Sequence, residues 1–118
     1  MIVKAQDLHG RALDWAVLRC EHPCCSAEDA VIFVTTFDDY DGTICNFSTD
    51  WAQAGPIIQR ERINVTYSDD HKRWEACYTV DGNPIHRFDG ATPLVAAMRA
   101  FVGFTLGGAV DVPEELTC

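Results

Sequence analysis

Apolar residues recur at Leu8, Ala12, Leu13, Ala16, Val17 and Cys20. This is the i, i+3, i+4 spacing of one helical stripe, and it predicts a helix over 8–21. Asp7 is its expected cap, since a carboxylate there accepts the exposed amide hydrogens. Pro23 ends it, because proline lacks a donor and restricts His22. Val31 to Phe37 is β-branched and aromatic and reads as a strand. Ser48-Thr49-Asp50 then offers N-caps for a short helical turn from Trp51 to Gln53, which Gly55-Pro56 should break.

The period then changes. Ile63, Val65 and Tyr67 alternate with Asn64 and Thr66, and Trp74, Ala76, Tyr78 and Val80 alternate likewise. Both are half-buried strands, joined by the polar Asp69-Asp70-His71-Lys72. Asp81-Gly82 signals a second turn before a short strand over 85–88. Thr92 as cap, Pro93 at the first helical position and Gly107-Gly108 as stop frame a helix over 93–106. Its apolar face holds Leu94, Ala97, Met98, Phe101, Val102 and Leu106. The expected fold is α+β: a three-stranded antiparallel sheet, or four-stranded if Val110–Val112 joins it, packed against two main helices. Trp15, Trp51 and Trp74 are the expected core anchors.

The 118 residues suit a single domain spanning 1–118. No apolar run approaches the length of a membrane span, and the first residues lack a secretory core, which points to the cytoplasm. The charge of −9 opposes strong binding to phosphate backbones. The basic clusters Arg60-Glu61-Arg62 and His71-Lys72-Arg73 have acidic neighbours and form at most a small local patch. The acidity favours solubility; it fits simple solvation of the surface, with a basic partner as the alternative.

Most of the six cysteines, in a reducing compartment, read as small apolar fillers. Cys20, His22, Cys24 and Cys25 are the richest metal-ligand cluster, but no second knuckle follows, so no zinc or other cofactor is expected. Asp39-x-Asp41-Gly42 resembles half of a calcium loop. Its first position, Phe37, has no side-chain oxygen, and its twelfth, Ser48, is not the bidentate glutamate required there. No nucleophile elbow, Walker lysine or dinucleotide-binding motif occurs, so no catalytic residue is assigned. Asp50, Trp51 and Gln53 could form a recognition pocket in which the ring stacks and the polar groups orient. The competing reading is a buried tryptophan under a self-capped turn.

Three segments carry a resemblance: Arg11-Ala12-Leu13-Asp14-Trp15-Ala16-Val17, Ser48 to Ile58, and Gly90-Ala91-Thr92-Pro93-Leu94-Val95-Ala96-Ala97-Met98-Arg99. Together with Asp111 to Leu116 they resemble the NinX-like family of tailed phages and prophages. Residues 22–45 do not share it and look like an insertion. The resemblance implies a phage or prophage accessory product acting in the host cytoplasm, and it brings no catalytic assignment. Two readings follow. One is a non-enzymatic module binding a host or phage protein, with an acidic decoy as one version of it and Asp50, Trp51, Gln53, Arg60 and Glu61 as candidate contacts. The other is a small-ligand-binding protein or minor enzyme using the Trp51 region. Oligomeric state is not legible.

Overall fold

The computed structural model describes residues 1–35 and 45–116. The chain runs β1 (Ile2–Lys4), a 3-10 turn (Ala5–Asp7), α1 (Gly10–Glu21), α2 (Ala27–Thr35), α3 (Trp51–Glu61), β2 (Asn64–Ser68), β3 (Arg73–Val80), β4 (Asn83–Gly90), α4 (Pro93–Leu106), β5 (Ala109–Asp111) and a closing 3-10 turn (Glu114–Leu116). The class is α+β, as the alternating and helical periods predict.

The centre of the molecule is α4. Every residue from Ala96 to Gly103 is buried. Such a helix needs cover on all sides. The sheet β2-β3-β4 lies on one side, with α1 and α3 on others. Thr92 caps it, its Oγ1 accepting from the Val95 amide at 3.2 Å. Gly103 sets the spacing to the sheet: a Cβ there would stand 2.3 Å from Cζ of Phe88. The one charged residue buried in α4 is Arg99. Its guanidinium donates to the carbonyls of Leu8 at 2.8 Å and Asp89 at 2.7 Å, tying the N-terminal segment and β4 to the helix.

The meander is antiparallel throughout. Val65 opposes Ala76, which opposes Phe88, and these residues face α4. The other face is polar, with Asn64, Thr66, Arg73, Thr79 and Arg87 exposed on it. Val110 does enter a strand, but β5 pairs with β1 in a separate two-stranded sheet and adds nothing to the meander.

Several expectations need correction. Residues 31–35 are helical, within α2, and not a strand. The Ser26 hydroxyl accepts from the Asp29 amide at 3.1 Å, and Ala30 and Val34, one turn apart, are the buried pair. A helix start and a four-residue period thus override the β-branched composition. Residues 36–37 lie outside the described residues. Helix α3 does not stop at Gly55-Pro56 but continues to Glu61. Pro56 gives up one internal hydrogen bond. Burial of Ala54 and Ile57 on the core side holds the helix together across it. Asp7 does not cap α1. It lies in the first 3-10 turn, and His9 occupies the cap position without a side-chain bond to the helix amides. Of the three tryptophans only Trp15 is buried; Trp74 is half-buried against Tyr67 and Trp51 is 57% exposed.

Candidate functional site

The turn before α3 is held from two directions. Asp14, buried in the middle of α1, accepts the Ser48 amide at 2.8 Å. Burial raises the Asp14 carboxyl above its usual range, and the bonds from Ser48 oppose that rise. On the other side Gln53 reaches back over the turn. Its Oε1 accepts the Asn46 amide at 2.9 Å and its Nε2 donates to Asn46 Oδ1 at 2.7 Å. Asp50 caps α3, accepting from the Ala52 amide at 2.9 Å.

These bonds fix the first residue of the helix, Trp51, with its ring in solvent. An open cavity of about 240 Å³ lies beside it, lined by Ser48, Thr49, Trp51, Thr92, Pro93 and Leu94. The first turns of α3 and α4 therefore meet at this cavity. Of the candidates Asp50, Trp51 and Gln53, only the tryptophan offers a surface. The carboxylate and the amide hold the turn that presents it.

Arg60 and Glu61 sit at the far end of α3, about 15 Å along the axis at 1.5 Å per residue. They are not part of this site. Arg60 forks onto Glu21 at 2.9 and 3.1 Å, and its Nε donates to Glu61 at 2.9 Å. Its guanidinium lies 5.7 Å from the Phe101 ring centroid. The Glu21 and Glu61 bonds raise its pKa further. The side chain is half-exposed, so the cluster joins α1, α3 and α4 as a partly screened clamp.

The candidate metal ligands lie in different surroundings. Cys20 is half-buried in α1, and desolvation pushes its thiol up to about 12, which disfavours the thiolate a metal needs. His22 and Cys25 line a cavity of about 410 Å³ with Leu18, Phe33 and Cys45, while Cys24 is exposed. Among the described residues no three His, Cys, Asp or Glu side chains are placed to hold a metal ion. The calcium-like Asp39 and Asp41 lie outside the described residues.

Sequence reasoning missed Asn46 as the partner of Gln53, Asp14 as the support of Ser48, and Thr92-Pro93-Leu94 as a cavity wall. A signal was present, for the three segments that carry the resemblance are the ones that meet here. Comparison with known families decides the membership: the family model described as bacteriophage P22, NinX, matches residues 4–104. The chain belongs to the bacteriophage P22 NinX family. It is thus a phage accessory protein, and the matched range runs from β1 through nearly all of α4, including the Trp51 cavity. No curated protein matches this NinX-family chain. No helix among its described residues is long and apolar enough to cross a membrane.

Proposed function

We propose that this NinX-family chain is a non-enzymatic binding module that engages a host or phage protein through Trp51 and the cavity between the first turns of α3 and α4. The observation that carries this reading is the exposed ring on a tightly braced turn: Trp51 is 57% exposed while Asp14, Asp50 and Gln53 hold the backbone beneath it. Large rigid aromatics that fill a partner's pocket dominate protein interfaces, and pre-ordering lowers their entropic cost.

A small-molecule site has less support. Such sites usually enclose roughly 300–1,000 Å³ and place several polar groups toward the ligand. Here the cavity is about 240 Å³ and open, and the side chains of Asp50 and Gln53 already bond within the protein. The acidic-decoy version also loses ground. Asp69-Asp70 and Asp81 occupy turns at opposite ends of β3, and Glu21, Glu61 and Asp89 are engaged by Arg60 or Arg73.

The test is photo-cross-linking from position 49, beside the ring, in phage-infected host cells. A discrete protein adduct is expected, lost in Trp51→Ala and retained when salt is raised. An unchanged adduct in Trp51→Ala would overturn the assignment.

A further inference from the structure

The two edges of the β2-β3-β4 sheet are unlike. β4 is closed to further pairing. Pro84 removes one donor. His86 and Arg87 form a bulge opposite Cys77, with His86 in the left-handed region at φ 52. At its end, Gln6 bonds both backbone groups of Asp89, accepting from the amide at 3.1 Å and donating to the carbonyl at 3.2 Å. β2 has none of these devices. Asn64-Val65-Thr66-Tyr67-Ser68 contains no charge, proline or bulge, in a chain with 23% charged residues. Among the described residues it is paired on one side only.

The direction of its free groups follows from the Gln6 contact. Asp89 points its N–H and C=O away from β3, so Glu75 opposite it points toward β2 and Thr66 points back toward β3. Val65 and Tyr67 must then turn their backbone groups to the open edge.

We propose that this edge pairs antiparallel with β2 of a second copy of the chain, centred on Thr66. Val65 of each copy then opposes Tyr67 of the other, and each such pair exchanges both backbone bonds. Half-buried Val65 and the 48% exposed Tyr67 are covered together on the α4 side. Thr66 meets Thr66, and Asn64 meets Ser68, as hydrogen-bonding pairs on the polar face. Two residues beyond the strand, exposed Arg62, at the left-handed end of α3, lies at the same end of the ribbon as exposed Asp70 in the 69–72 turn of the second copy, twice by symmetry. Parallel pairing would set arginine against arginine and aspartate against aspartate. Charge complementarity thus selects the antiparallel dimer, and the neutral strand is where two copies of a −9 chain can meet. The inference is independent of the Trp51 reading.

Light scattering across a concentration series tests it. The mass should rise from 13.1 kDa toward twice that value. The double variant Asn64→Lys/Thr66→Lys should stay at the mass of one chain with its melting temperature kept. Arg62→Asp alone and Asp70→Arg alone should each weaken association by about fivefold, and the two together should restore it. A wild-type chain that stays monomeric into the millimolar range would overturn the proposal. So would a dimer indifferent to the lysines, or a charge swap without rescue.

Discussion

Asp-Trp-Ala occurs twice, at 14–16 inside α1 and at 50–52 where α3 begins. In the first copy all three residues are buried: Asp14 at 5% exposure, Trp15 at 4%, Ala16 at 0%. In the second, Trp51 and Ala52 are exposed and Asp50 is half-buried. The chemistry is the same and the position in the helix differs. Mid-helix, the tryptophan turns to the core and its Nε1 donates to Ala27 at the start of α2, 3.1 Å away. At the helix start, the aspartate is spent on the cap and the ring projects beyond the first turn. The copies are also coupled, because Asp14 holds Ser48 and so places the turn that presents Trp51.

The largest expected effect is at Trp15. Trp15→Ala should destabilise the protein by about 3–5 kcal/mol in denaturant unfolding, through the cavity it leaves and the lost bond to Ala27. Asp14→Ala should cost about 1–3 kcal/mol, because the buried Ser48 amide loses its acceptor. Asp14→Asn keeps an acceptor oxygen and should cost less.

The same pair of variants separates hydrogen bonding from charge. The folded Asp14 carboxyl titrates above its unfolded value, so the folded state binds the proton more tightly. Its contribution is fully present below the unfolded value and is lost as pH rises through the folded one. Thermal melts should therefore show the wild type gaining on Asp14→Asn as pH falls from neutral into the carboxylate range. A constant difference would mean the buried charge carries no such cost. Asp50→Ala, by contrast, should cost only about 1 kcal/mol, the usual loss of a cap.

The contrast between the two copies also explains how far the sequence could be read. The meander and α4 were legible because their signals are local: alternation at 63–67 and 74–80, and Thr92-Pro93 opening a long apolar run. Helix α1 was legible except for its first turn, where Arg99, 91 residues away, donates to the Leu8 carbonyl that a helix starting there would offer to its own amide. Helix α2 was misread because Val31, Ile32 and Val34 favour strand on composition, while Ser26 and the Ala30–Val34 spacing specify helix. The candidate site was half legible. Asp50-Trp51-Gln53 stood out as a group. That Gln53 reaches back to Asn46 depends on the shape of the turn between them, and that Thr92 to Leu94 form the facing wall depends on packing between α3 and α4.

Trp51 gives the smallest expected effect on stability and the largest on recognition. Trp51→Ala should unfold within about 3 °C of the wild type, as expected for a surface substitution, while losing the adduct formed from position 49. A fall of more than about 10 °C would mean the ring is a core anchor after all. An intact adduct would remove recognition from this copy of the motif. Thermal unfolding and cross-linking of this one variant test the division of labour between the two Asp-Trp-Ala copies most directly: a stable protein without its partner is the predicted result, and an unstable protein, or a stable one still bound, contradicts it.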